Sequence, residues 1–316
     1  MNILIAGASG LIGQELIRGL SSEHHFTLLG RHKDLLKQVF SGRILSVSWD
    51  ELNTLDAHQF DAVINLSGHN IAASRWTPFV KEEIINSRVH TTEKLVDWIL
   101  KQKAKPHIYC ANAVGIYGLQ ENGDATELDE DTPIDFEHPK DFLSEIGVRW
   151  QQALAKAEKA GLAVTSTRFG VVLKKGEGFL GRLYPSFITG FGSVIGNGKQ
   201  YLSWVDSQDL VNAYRFLLNH PNITGPVNIT SPNPCMQKDF AKAYAKSLHR
   251  PLLFLTPAFV IHFLFGEMGD CLINQGQKVV PKRLLEAGFE FKWPTIQSAL
   301  KHIANSKPSW AEEHHG

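Results

Sequence analysis

Three glycines, Gly7, Gly10 and Gly13, occupy the run GASGLIG directly after the apolar stretch NILIA at residues 2–6. They open a segment whose apolar residues recur at helical spacing. A strand, a glycine turn and a helix in that order can hold a phosphate. The first glycine permits the tight turn, the second lets the backbone approach a pyrophosphate, and the third lets the helix pack closely on the strand. The helix N-terminus attracts the negative charge. Ser9 adds a hydroxyl donor, and Leu11 and Ile12 bring their backbone N–H groups to the first helical turn. The chemistry these residues point to is that of a bound dinucleotide.

The end of the second strand decides which dinucleotide. A carboxylate there hydrogen-bonds the ribose 2′-OH of NAD, whereas an arginine accommodates the 2′-phosphate of NADP. Here the strand ends LLGRHK. Gly30 leaves space, Arg31 offers a fork of donors, His32 and Lys33 add positive potential, and no carboxylate precedes Asp34. NADP(H) is the expected cofactor. Trp49 and Asp50, closing the third strand, are candidates to border the adenine.

These groups need a parallel sheet to hold them. Short β-branched runs at residues 2–6, 26–30, 44–49, 61–67, 107–111 and 163–169 alternate with helical stretches at 11–22, 79–102 and 141–160, the pattern of βαβ units. The expected fold is α/β, a Rossmann-type doubly wound parallel sheet with a smaller, mostly helical C-terminal substrate lobe. A glycine-crowded segment from Gly176 to Gly198 marks the change of character. Further helices are expected near 207–219, 236–248, 257–266, 281–287 and 295–304, with a short strand at PVNIT. The expected domains are residues 1–170 for the cofactor and 171–306 for the substrate, with 307–316 a flexible tail. Residues 119–137 hold eight acidic side chains and no Lys or Arg, as a solvated loop would. Asp206 and Asp209 read as caps of the helix that starts beside them.

Lys+Arg and Asp+Glu number 32 each, so no global field draws the chain to nucleic acid or an anionic membrane, and a small molecule is the expected partner. The start MNILIAGASG lacks a basic n-region and a cleavage site, and no apolar run approaches the roughly 20 residues that span a bilayer. A cytoplasmic protein is expected. Cys110, Cys235 and Cys271 lie far apart without metal-ligand spacing, so they read as packed thiols and no metal site is expected.

Seven motifs resemble one family across nearly all of residues 1–304: GASGLIG (7–13), VINLSGHNI (63–71), NSRVHTT (86–92), AVGIYG (113–118), DFLSEIGVRW (141–150), SWVDSQDL (203–210) and GQKVVPKRLLEAGFEFKWP (276–294). By these the chain resembles the atypical extended short-chain dehydrogenase/reductases. More narrowly, it resembles the "epimerase family protein" group, NAD-dependent epimerase/dehydratase-like with a distinctive C-terminal domain at about 257–306. The resemblance implies that Leu66, Ser67 and Gly68 lie against the cofactor. It also implies that Glu83 and Arg88 face its adenosine side and pair with each other, and that Val171 packs near the nicotinamide.

Members of the wider family use a Ser, and a Tyr and a Lys in a YxxxK helix, the Tyr acting as general acid/base. Alignment of the motifs puts Asn112 at the Ser position, Leu143 at the Tyr and Gly147 at the Lys. Asn112 can still orient a carbonyl or hydroxyl, and Tyr117 is the nearest candidate acid; His69, beside Gly68, is another titratable group at the turn. Arg182, Tyr184, Trp204 and Arg283 are polar or aromatic residues in regions expected to border a substrate. Two readings follow. One is an oxidoreductase or epimerase acting by hydride transfer on a small hydroxyl or carbonyl compound, nucleotide sugars among the candidates. The other is an NADP(H)-binding sensor or scaffold without the Ser/Tyr/Lys relay.

Overall fold

The computed structural model describes residues 1–306 of the 316-residue chain, so the expected tail at 307–316 lies outside the described residues. Backbone contacts divide the chain into two units. The first comprises Met1–Ala113, Glu145–Arg168 and Val211–Val227, and the second takes Val114–Ser144, Phe169–Leu210 and, of the described residues, 228–306. The expected boundary at residue 170 differs from this interleaved division. The physical reason is β-sheet closure, because the chain returns to the sheet after residue 210 to supply its last strand.

The first unit carries a seven-stranded sheet. Its strands are β1 (Asn2–Ala6), β2 (His25–Gly30), β3 (Leu45–Ser48), β4 (Ala62–Asn65), β5 (His107–Ala113), β6 (Val164–Phe169) and, late in the chain, Gly225–Ile229. Strands β1, β4 and β5 and strands β1, β2 and β3 pair in parallel. The order, the late strand first, is late strand, β6, β5, β4, β1, β2, β3. The sheet is the Rossmann-type arrangement read from the sequence, and its order reverses between β1 and β4. PVNIT, expected in the smaller lobe, supplies the edge of this sheet instead.

Helices α1 (Leu11–Leu20), α2 (Lys33–Val39) and α3 (Pro78–Lys101) connect the early strands. Helix α1 buries Gly13, Leu16, Ile17 and Leu20, the stripe its spacing dictates. Helix α3 starts where Thr77 accepts a hydrogen bond from the Val80 N–H with Pro78 at its head. The helix expected over 141–160 is two, α4 (Phe142–Gln152) and α5 (Ala155–Lys159).

The second unit begins its own elements with β7 (Val171–Lys174), α6 (Gly178–Ile188), β8 (Ser193–Ile195), β9 (Tyr201–Leu202) and β10 (Trp204–Asp206). After α7 (Ser207–Asn219) and β11, the late strand of the main sheet, come β12 (Cys235–Met236), α8 (Gln237–Ser247), β13 (Phe254–Thr256) and α9 (Ala258–Phe265). The chain closes with α10 (Glu267–Gly269), α11 (Lys282–Glu286) and α12 (Ile296–Asn305). Three two-stranded ribbons result: β7 with β10, β9 with β12, and β8 with β13. The core packs Leu180 and Phe187 of α6, Trp204, Phe240 and Tyr244 of α8, and Ile296 and Leu300 of α12. Trp204 is completely buried and its indole N–H donates to the Asn233 carbonyl. It is a core residue, and the expectation that it borders a substrate is corrected; truncating such a side chain costs about 3–5 kcal/mol.

The acidic stretch 119–137 is a largely exposed loop, as expected, with six of its eight acidic side chains exposed. It is laced to the segment 274–283 by the bridges Gln120–Gly276 and Leu128–Val279, by Lys278 Nζ to the Ala125 carbonyl, and by Lys282 to Asp131. Buried Glu130 accepts from the Asn228 N–H at 2.8 Å, and burial raises its pKa above the ordinary carboxylate value. The stretch is acidic because part of its charge is paired within the fold. Asp206 does accept from the Gln208 N–H, and also meets His302 Nδ1 at 3.1 Å. Asp209 accepts the backbone N–H groups of Lys292 and Trp293, which pins the FEFKWP segment.

Candidate functional site

Neighbouring strands β4, β1 and β2 end on one edge of the sheet, at the reversal where α/β folds bind ligands. The turn after β1 is set by packing. Gly7 has φ +80°, and a Cβ there would lie 2.7 Å from the Leu66 carbonyl carbon and oxygen. A Cβ at Gly13 would lie 2.6 Å from Ala8 Cα. Both glycines are required by the fold itself. Gly10 is different: it is exposed at the N-cap of α1 without a side-chain cap, and its Cβ would meet only the Gly7 carbonyl oxygen, at 3.4 Å. Internal packing does not demand a glycine there, whereas close approach of a ligand to the helix N-terminus does. Exposed Ser9 is held by the Gln14 side-chain amide, which donates to its carbonyl at 2.8 Å.

At the end of β2, Gly30 gives its space to Leu36, whose Cδ1 would stand 2.9 Å from an added Cβ. Arg31 is exposed and makes no hydrogen bond or ion pair among the described residues. Lys33 is already engaged, 2.7 Å from Glu51, whose other oxygen accepts the Ser48 N–H. The lysine hydrogen bond holds the Glu51 carboxyl below the usual range. Arg31 is thus the free cation at this strand end. Trp49 lies under the Lys94 ammonium at 5.8 Å.

At the end of β4, Asn65 accepts from the Ser67 N–H at 3.1 Å and donates to Thr92 at 2.9 Å, which fixes the turn Leu66–Ser67–Gly68. Asn65, Thr92 and Ser87, whose hydroxyl receives the His69 N–H, were not singled out in the sequence. A polar residue closing the all-apolar run AVI was the signal for Asn65. Arg88 comes up from α3 against this turn: its Cζ would lie 3.0 Å from a Cβ at Gly68. It donates to the carbonyls of His69 and Ile84 and sits 5.0 Å over the Trp150 ring. Burial pulls its pKa to about 10, so it stays cationic at neutral pH, and its Nε has no partner.

The expected Glu83–Arg88 pair is corrected. Five residues at 100° per residue put them about 140° apart around the helix; Glu83 faces solvent and Arg88 turns inward. A largely buried guanidinium with no carboxylate partner among the described residues suits an anionic ligand. Gly10 and Arg31 are exposed at the ends of β1 and β2, and Arg88 lies against the turn after β4.

The candidate acid/base groups are placed otherwise. Asn112 is buried, with its Nδ2 donating to the Gly147 carbonyl at 3.0 Å and its Oδ1 accepting the Ala113 N–H at 2.8 Å. Tyr117, in the second unit, is buried and donates to Asn228 Oδ1 at 2.9 Å. Both sets of polar atoms serve the protein's own packing, and neither residue is presented for proton transfer. Leu143 packs on Gly115, where a Cβ would meet its Cβ at 3.1 Å. Val171 belongs to β7 and stands opposite Trp204. All three cysteines are free, and burial pushes the Cys110 thiol up to about 12. Among the described residues no cluster of three His, Cys, Asp or Glu side chains can hold a metal ion, and no helix is long and apolar enough to cross a membrane.

A doubly wound sheet with a glycine turn at its switch point defines a dinucleotide-binding Rossmann protein. The chain belongs to the NAD dependent epimerase/dehydratase family, which it matches over residues 3–230, and residues 256–303 match a domain of unknown function, DUF1731. The family resemblance expected from the motifs is borne out. The chain is 35% identical over 312 residues to the Arabidopsis thaliana epimerase family protein SDR39U1 homolog, named as chloroplastic, covering 96% of this chain and 86% of that one. The crystal structure of human epimerase family protein SDR39U1 with NADPH superposes with a TM-score of 0.85 at 28% identity, covering 97% of this chain and 100% of the human one. A nucleoside-diphosphate sugar epimerase from Corynebacterium glutamicum gives a TM-score of 0.74 at 26% identity, over 99% of this chain and 60% of that one.

Proposed function

We propose that this chain binds NADP(H) along the ends of β4, β1 and β2 and carries out hydride transfer with a small hydroxyl or carbonyl compound, nucleotide sugars being the favoured class. The observation that carries the reading is Arg88, a largely buried guanidinium with no carboxylate partner among the described residues, set against the Gly68 turn. The human relative crystallised with NADPH and the sugar-nucleotide epimerase from Corynebacterium support it. The N-terminus of α1 at Gly10, Leu11 and Ile12 holds the pyrophosphate, Arg31 binds the 2′-phosphate, and Leu66, Ser67 and Gly68 supply a close backbone wall. Glu83 and Val171 carry cofactor roles only through the family resemblance. When bound, the nicotinamide supplies the hydride.

The protein's side of proton transfer is thin. Leu143 and Gly147 stand where a Tyr and a Lys are expected, so solvent or the substrate's own hydroxyl supplies the proton. General acid/base help is worth about 10² to 10⁴ in rate, and turnover is slow by that measure. The same vacancy favours a second reading, an NADP(H)-occupied sensor or scaffold. A cytoplasmic setting belongs to the proposal, supported by three free cysteines. The experiment incubates the protein with NADPH deuterated at its transferable position and a panel of keto-sugar nucleotides and simple ketones. A product one deuteron heavier supports the enzyme. Tight NADPH binding without label transfer to any compound supports the sensor.

A further inference from the structure

The second unit leaves a long apolar stretch in water. Phe259 and Phe263, one turn apart on α9, are 73% and 79% exposed, and Leu253 and Leu255, around β13, are 78% and 64% exposed. Phe191 is 65% exposed and its ring lies 5.4 Å from that of Phe254. Strand β13 pairs with β8 in a ribbon of only two strands. Helix α9 turns Ile261 alone into the protein. Side chains of this size bring about 150–250 Å² each, so at these exposures the stretch offers on the order of 800 Å². That is at or above the upper end of what a typical monomer leaves uncovered, and it approaches one partner's share of a standard-size interface.

The charge of the stretch selects the occupant. Residues 251–266 contain no Lys, Arg, Asp or Glu. The one titratable side chain among them, His262, is tied to Asp270. An interfacial membrane helix carries lysines and arginines on its polar face, and a steered heteromeric contact carries charge of one sign. A two-fold contact between identical copies needs only a patch complementary to itself, which a neutral apolar surface supplies without any matched charges. We propose that β13 and α9 form the face through which two copies of this chain dimerise in solution.

Sedimentation velocity of the full chain over roughly 1 to 100 µM, the weak end for interfaces of this size, tests it. The wild type is expected at twice 35.2 kDa. The double variant Phe259→Glu/Phe263→Glu is expected to raise the dimer dissociation constant at least about a hundredfold, because buried aromatic anchors dominate such contacts. Its circular dichroism stays unchanged, since neither side chain is buried. Leu253→Glu, on the strand side of the face, gives an independent variant should the helix change fail to fold. A wild type that is monomeric throughout overturns the proposal, including one that instead co-floats with phosphatidylcholine vesicles. So does a dimer that persists undiminished in both variants.

Discussion

Three glycines share one motif, yet the structure gives them unequal reasons. Gly7 and Gly13 are held by backbone atoms under 3 Å from where a Cβ would be, while Gly10 has room. Replacing Gly7 with Ala imposes both a left-handed backbone and a clash, costing about 3 kcal/mol of stability. Gly10→Ala costs no more than about 1 kcal/mol, the scale of an altered N-cap, yet weakens NADPH binding at least about tenfold. Thermal melts of the two variants with and without NADPH check the contrast, and equal melting losses would remove the argument for a ligand at Gly10. The motif points to a phosphate turn, and Arg31 is proposed for the 2′-phosphate, on local sequence alone. Sequence could not tell that Lys33 is engaged by Glu51, or that Asn112 and Tyr117 spend their polar atoms on Gly147, Ala113 and Asn228. Those partners come from 18 to 111 positions away or depend on side-chain orientation.

Elements carry the pH response. His107 on β5 is buried, stacked on Tyr109 at 4.1 Å and 2.8 Å from the Thr165 hydroxyl of β6. Burial lowers its pKa to about 4 from 6.5. The folded pKa is depressed, so the unfolded chain binds more protons between those values; the stability contribution is present above pH 6.5 and lost as pH falls through 4. The loss reaches about 3 kcal/mol, at 1.36 kcal/mol per unit. Denaturant unfolding from pH 7.5 to 4 is expected to show this decline, and His107→Gln is expected to flatten it. A slope unchanged in the variant would assign the decline elsewhere. Helix and strand positions were legible from period and β-branching, and the missed break between α4 and α5 falls in an unbroken helical composition. The exposure of the acidic stretch 119–137 was legible, but its ties were not, because charge composition says nothing of Lys278 and Lys282, more than a hundred residues on.

At the scale of the molecule, the sheet was legible but the domain boundary was not, since composition changes at residue 170 while the chain returns to the sheet with Gly225–Ile229. Within the first unit Arg215 also pairs with Glu23 at 2.9 Å, and Gly19 lies under Val211. A fragment of residues 1–170 leaves the β6 edge bare and this face uncovered. It is expected to aggregate or to bind a hydrophobic dye without a cooperative melt; a cooperatively melting monomer would show that the interleaving is dispensable. Calorimetric titration of the whole chain with NADPH and with NADH, on the wild type and on Arg31→Ala, reaches the central claim most directly. The expected result is NADPH bound at least about tenfold tighter than NADH, with Arg31→Ala weakening NADPH by about 1.5–3 kcal/mol and leaving NADH unchanged. Equal affinity for the two dinucleotides, or no binding of either, would contradict it.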